Sequence, residues 1–246
     1  MKKKIVSLAL AVCLLAVAIV GGTLAYFTDY ETDKNVMTMG NIDIVQVEQM
    51  RGENGALVDF TDGQILLPMG GDPAWAADQV TINGGSFKVF ASENVIDKFV
   101  TVENNGNSAA YIRTIVALEA GKTWDEAKNL WYNNIAVTDN SDGQQIVCED
   151  NDLFVEIDGT YYIIVVYTYT DALVAGDVSE ASLTGVGLYK DTTKEDMANF
   201  GGDYEVLVIT QAVQAADMGD DAGAALDTAF GDVNETNVKT WFANVA

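Results

Sequence analysis

The sequence predicts a mainly β chain, an antiparallel two-sheet sandwich with short decorating helices. Three observations point there. Across residues 40–246, about eight to ten short runs rich in Val, Ile, Thr and Tyr alternate with clusters of Gly, Asn and Asp. Helical spacing is confined to a few short segments. Between two of the β-rich runs, residues 153–157 and 160–170, stands Asp158-Gly159, whose left-handed backbone preference suits a two-residue hairpin turn. No internal repeat subdivides the chain, and residues 40–246 are read as a single domain.

The chain begins on a different pattern. Lys2, Lys3 and Lys4 precede an apolar run, residues 5–20, broken only by Ser7 and Cys13. Gly21-Gly22 then loosens the helix, and Thr23 and Ala25 place small side chains at positions −3 and −1 of a cut before Tyr26. This is the layout of a secretory signal peptide over residues 1–25. The competing reading is an uncleaved anchor, since the run approaches the roughly 20 residues that span a bilayer. Membrane contact is expected only through that uncleaved segment. Val12 stands where a lipoprotein signal around Cys13 would need a smaller residue.

Cleavage after Ala25 leaves 221 of the 246 residues, enough for one large β domain. The 13 basic residues fall to 10 without Lys2, Lys3 and Lys4, against 37 acidic ones, for a net charge of −27. A field of that sign repels phosphate backbones and argues against nucleic acid as a partner. It suits a protein kept soluble outside the cell. Cys148 is the one cysteine left, so no intrachain disulfide can form; it is read as a buried small hydrophobe or as an intermolecular link. Histidine is absent, which removes zinc-histidine sites and His-dependent nucleophile arrangements.

Taken in order, residues 26–39 are polar, with Asp29, Glu31 and Asp33 and no strong period, and are expected to be flexible on their own. Residues 41–47 read as a strand with Ile42 and Ile44 on one face and a register change at Val45 for a bulge to absorb. Residues 51–86 look loop-rich, with turn signals at Asp62-Gly63, Gly70-Gly71-Asp72-Pro73 and Asn83-Gly84-Gly85. Leu67-Pro68-Met69-Gly70-Gly71 has the look of a sortase signal but lies mid-chain with no hydrophobic tail behind it, and is read as a turn. Residues 99–103 and 111–118 alternate well about a turn cluster and are read as a hairpin, with Ile112, Val116 and Leu118 facing the core. Arg113, one of two arginines, is expected either to pair with a carboxylate or to stay exposed at about 0–1 kcal/mol.

Thr123-Trp124-Asp125-Glu126 is a capping-box signature for a short helix through Trp131, with Trp124, Ala127, Leu130 and Trp131 on one side. That aromatic face reads as a lid on a sheet or as a carbohydrate platform. Residues 161–169 are so continuously apolar that a central strand covered on both faces is expected. Further strands are read at 183–189 and 204–215, a helix at 222–230, and a weakly helical tail at 236–246 carrying Trp241 and Phe242.

No catalytic constellation emerges. There is no H-E-x-x-H and no cysteine cluster. With 37 carboxylates, any pairing suited to glycoside hydrolysis arises by number alone. Asp139-Asn140-Ser141-Asp142-Gly143 lacks the alternating ligands and terminal Glu of an EF-hand and reads as a turn, with weak Ca²⁺ binding the one cofactor considered. No catalytic residue, resident cofactor or metal ligand is assigned.

Ala25-Tyr26-Phe27-Thr28-Asp29-Tyr30-Glu31-Thr32, followed by Met39-Gly40-Asn41-Ile42-Asp43-Ile44, resembles the start of the TasA/camelysin family. Val102-Glu103-Asn104-Asn105-Gly106 with Ala110-Tyr111-Ile112-Arg113 is similar to a strand pair of that family, and Gln211-Ala212-Val213-Gln214-Ala215 ahead of Ala224-Ala225-Leu226 and Phe230 to its closing strand and helix. The resemblance implies a secreted protein of a Gram-positive bacterium, trimmed by a SipW-type signal peptidase and folded as a jelly-roll-like sandwich. It implies self-assembly into filaments of the extracellular biofilm matrix after leader removal, with other matrix proteins as further partners. The family's donor strand falls on residues 27–37, which makes Phe27, Thr28, Asp29, Tyr30, Val36 and Met37 the candidate docking residues. Some members of the camelysin branch carry a metallopeptidase label; an exopeptidase ranks last here. From a different class comes a monomeric cell-surface module for glycans or a host protein, with Trp75, Trp124, Trp131 and Trp241 as contacts.

Overall fold

The computed structural model describes residues 28–31, 42–71, 74–82, 85–91, 94–121, 130–133, 146–198, 204–243 and 245; side chains are described for 42–71, 94–121, 153–198, 204–243 and 245. The strands are β1 (Thr28–Glu31), β2 (Ile44–Arg51), β3 (Leu57–Asp59), β4 (Ala74–Ile82), β5 (Gly85–Ala91) and β6 (Ile96–Asn104). They continue with β7 (Ala110–Glu119), β8 (Leu130–Asn133), β9 (Ile146–Ile157), β10 (Thr160–Tyr169), β11 (Leu183–Leu188) and β12 (Val206–Gln214). Among the described residues the helices fall late in the chain: α1 (Lys194–Met197), α2 (Ala222–Phe230) and α3 (Glu235–Phe242).

Two antiparallel sheets form the body. The first has the order β1-β12-β7-β10-β9, the second β3-β2-β6-β11-β8, and β4-β5 make a separate two-stranded ribbon. The chain crosses between these two sheets from β1 to β2, from β6 to β7, from β7 to β8, from β8 to β9, from β10 to β11 and from β11 to β12. Such crossings give the sandwich its jelly-roll-like character.

Why β7 and β10 carry so little polar alternation follows from what covers them. On the inner face Ile112, Val116, Leu118, Val165 and Tyr167 pack against Val100, Val102, Leu183 and Val186 of the second sheet. On the outer face Ile115, Ala117, Ile164 and Val166 pack against Val238, Trp241 and Phe242 of α3. Both faces are dry, so both sets of side chains are apolar. Tyr111 and Val213 extend the outer face onto Ala222, Ala225 and Leu226 of α2.

Local chemistry sets the boundaries. Asp158 and Gly159 both have positive φ, 48° and 91°, the primed turn that joins β9 to β10. Asp221 caps α2 by accepting the Ala224 N–H at 3.0 Å, and Asn234 caps α3 by accepting the Asn237 N–H at 3.0 Å. Between them Gly231 closes α2 at φ 90°, where a Cβ would stand 2.8 Å from Asn237 Nδ2. Glycine is required there.

Several expectations hold. Ile112, Val116 and Leu118 face the core, β10 is covered on both faces, and the helix at 222–230 is α2. Others are corrected. Residues 99–103 and 111–118 do not form a hairpin, because β6 and β7 lie in different sheets. The corner is held by buried Asn104, whose amide donates to the carbonyls of Ser108 and Leu173, each at 2.9 Å, and whose Oδ1 accepts the Gly106 N–H at 3.0 Å. There is no bulge at Val45: β2 pairs with β6 without a break from Ile44 to Gln49. Residues 51–86 hold β3, β4 and the start of β5, where Ala76-Ala77-Asp78 hides a strand from propensity and a register break falls between Trp75 and Gln79. Leu130 and Trp131 belong to edge strand β8, with Trp131 opposite Gly187, so pairing with β11 outweighs the helical signal. Residues 122–129 lie outside the described residues.

Candidate strand-exchange edge

Among the described residues, the first sheet ends on an edge that is only partly filled. β12 pairs with β7 along its whole length, from Val206 opposite Leu118 to Gln214 opposite Ala110. On its other side β1 pairs antiparallel with four residues: Thr28 with Val213, Asp29 with Ala212, Tyr30 with Gln211 and Glu31 with Thr210. Among the described residues, positions 206–209 of β12 have no strand on that side. Three candidate docking residues, Thr28, Asp29 and Tyr30, are therefore seated on the chain's own β12. They take strand form here because β12 supplies the backbone partners that the isolated sequence lacks. Phe27, Val36, Met37 and the cleavage residues Thr23, Ala25 and Tyr26 lie outside the described residues.

Beside the uncovered half of β12 the two sheets part into a cleft of about 400 Å³. Tyr204, Val206 and Leu207 form one wall, Ile96 and Lys98 the other, and the loop carrying Phe60 covers one side. β2 explains why the interior turns polar here. Its inward row begins with buried Ile42 and Ile44 and continues with Gln46 and Glu48. Gln46 Oε1 accepts the Thr210 hydroxyl at 2.9 Å, tying β2 to β12 across the sandwich. Glu48 takes the Lys98 ammonium, which also lies 4.0 Å from the centre of the Phe60 ring. Lys98 is 4% exposed, so its charge is held by these two partners rather than by water.

Two hydrogen bonds tie the floor at Glu205. The Tyr162 hydroxyl donates to Glu205 Oε2 at 2.7 Å, and Glu119 Oε2 accepts the Glu205 N–H at 2.9 Å. Desolvation, reinforced by the Glu205 carboxylate, raises the pKa of Tyr162 far above the ordinary phenol value. Tyr204 is raised well above it too, chiefly by burial. Both phenols stay neutral.

The opposite face of β7 and β12 is fastened down. Arg113, 2% exposed, donates to Gln211 Oε1 from Nε at 3.0 Å and from a terminal nitrogen at 2.6 Å. It also reaches Asp227 on α2 at 2.6 Å and the Gly231 carbonyl at 3.3 Å, with the Trp241 ring 5.5 Å away. One guanidinium thus joins β7, β12, α2 and α3. Of the two readings of Arg113, the carboxylate partner is the one found. Sequence reasoning missed Lys98 entirely: its signal was a lysine at an inward position of an otherwise apolar β6 row.

Trp241 is 8% exposed and belongs to the core beneath α3, which takes it out of any surface aromatic cluster. The side chains of Trp75, Trp124, Trp131 and Cys148 and the loop at 139–143 fall outside the described ones. Among the described residues no helix is long and apolar enough to cross a membrane.

Residues 1–53 match the family model of camelysin metallo-endopeptidase. No curated protein and no solved structure gives a match. The metal in that description finds no fitting donor set here: the sequence has no histidine, and among the described residues no three Cys, Asp or Glu side chains converge to hold an ion. The similarity to the camelysin family, which includes the TasA proteins, extends over residues 1–53, from the N-terminal apolar run through β2.

Proposed function

We propose that this chain is a secreted structural subunit, without enzymatic activity, that polymerises outside the cell as biofilm-matrix filaments once residues 1–25 are removed. Copies join head to tail when the N-terminal segment of one chain takes the place of β1 on β12 of the next. The observation that carries this reading is the seating of β1 on the β12 edge. Among the described residues, a four-residue strand occupies half of an edge whose other half borders a cleft.

Exchange costs little in this arrangement. The contacts β1 makes on its own β12 are the contacts it would make on a neighbour's, so the balance depends on concentration and on the connection to β2. Between Glu31 and Ile44 the chain reaches about 40 Å when fully extended, enough to bridge two copies. Because donor and acceptor surfaces differ, the contact does not close on itself and propagates. Held in the register of β1, a donor would carry Met37 opposite Tyr204, on the face that borders the cleft.

The test compares protein starting at Tyr26 with protein starting near Gly40, by electron microscopy and sedimentation. Filaments from the first and single particles from the second are expected. Equal behaviour of the two rules out strand donation.

A further inference from the structure

We infer that Lys98 reads the charge of the incoming strand, by taking the carboxylate of Asp33 from a second copy of this chain. The inference rests on the strand-exchange reading above and adds to it a specificity-determining residue.

The argument begins with levels in the sandwich. Gln46 on β2 meets Thr210 on β12, which places the two residues at one height. Inward positions recur every second residue, so the next pair along is Glu48 on β2 and Val208 on β12. Lys98 delivers its ammonium to Glu48 at that height. In the register of β1, Glu31 stands opposite Thr210, so position 33 of a donor stands opposite Val208. Val208 belongs to the inner core, and directly opposed residues share a sheet face. A donor strand that continued in this register would bring Asp33 to the inner face where Lys98 and Glu48 meet.

Charge makes the meeting selective. Among the described residues lining the cleft, Asp62 and Glu205 are acidic and Lys98 is the one cation. The donor is itself acidic, with Asp29, Glu31 and Asp33. Without a cation, Asp33 would face Glu48 alone, and like charges at a desolvated contact repel. An ammonium has three N–H donors, and Glu48 accepts from one of them, so Lys98 can bridge both carboxylates. A segment carrying a basic residue at that position would be disfavoured by the Lys98 charge.

Charge reversal in full-length processed chains tests this. Asp33→Lys and Lys98→Glu are each made alone and then mixed in equal amounts, with assembly followed by sedimentation. Each variant alone pairs like with like, and its critical concentration for assembly is expected to rise at least about tenfold. The mixture restores assembly in alternation. The new lysine of one variant then docks on the new glutamate of the other, and the Asp33 kept by the second docks on the Lys98 kept by the first. Both matches exist only between different copies. Wild-type assembly with both variants unaffected overturns the role of Lys98 and leaves strand exchange standing. Failure of the mixture to recover overturns it as well. Wild-type protein that never assembles overturns both. Asp33→Lys changes the donor segment and no residue that lines the cleft, so it gives the same reading if Lys98→Glu does not fold: unchanged assembly of that variant is decisive against the assignment.

Discussion

Strands β10 and β1 lie in the same sheet and are held in opposite ways. β10 is paired on both sides, from Tyr162 opposite Glu119 to Thr168 opposite Arg113 on β7 and from Thr160 to Tyr169 on β9. Its side chains are buried beneath a second sheet on one face and α3 on the other. Among the described residues β1 is paired with one strand, β12, over four residues. The contrast separates what folds this molecule from what it has to offer. A strand with two neighbours and two dry faces cannot leave without unfolding the sandwich, whereas a short edge strand can be replaced by an equivalent one from elsewhere.

Changes on the fastened side should have the largest effects. Phe242→Ala opens a cavity where α3 meets β7 and β10, and should lower unfolding stability by about 3–5 kcal/mol in urea denaturation. Asp227→Ala leaves buried Arg113 without its carboxylate and should cost about 2–3 kcal/mol, less than the general penalty for breaking a buried pair because Asp227 is itself 40% exposed. A loss below about 1 kcal/mol in either variant would show that the helices are not fastened as described.

Alkali should reveal the same enclosure. Burial pushes the Tyr169 phenol up to about 12, from the ordinary phenol value of 10.0, and its hydroxyl donates to the Glu180 carbonyl at 2.8 Å. The folded state thus holds that proton more tightly than the unfolded state does. The corresponding stability is complete below pH about 10 and is lost as pH rises through about 12. Melting temperatures should fall over that window, and Tyr169→Phe should make the fall shallower.

The smallest effect on stability belongs to β1. Starting the chain near Gly40 removes four ladder pairs worth about 1 kcal/mol each before the cost of ordering, which is of similar size per residue. A net change of about 1 kcal/mol or less is expected in thermal melting, with assembly abolished. A large loss would make β1 a structural strand and erase the contrast with β10.

How much of this was legible in the sequence depended on the range of the cause. Asp158-Gly159, the apolar run of β10 and the helix at 222–230 carry their reasons locally, in turn chemistry and period, and each was found. The assumed hairpin of β6 and β7 failed because an Asn104 corner and a hairpin turn draw on the same residues; only the bonds to Ser108 and Leu173 distinguish them. β4 and β8 were missed because Ala76-Ala77-Asp78 and Leu130-Trp131 take strand form only through partners distant in sequence. The candidate site divides in the same way. The donor residues stood out by resemblance. The cleft and Lys98 did not, since β2, β6 and β12 meet only once the chain has folded.

The most direct test asks whose β1 sits on β12. In processed chains with Cys148→Ser, one population carries Asp29→Cys and another Ala212→Cys, at positions directly opposed across the ladder. Opposed Cα atoms of an antiparallel pair lie close enough for a disulfide. Exchange between copies predicts that oxidation of the mixture yields a linked species containing one chain of each kind. Mixed chains that stay unlinked, while a single chain bearing both cysteines closes on itself, would contradict the account.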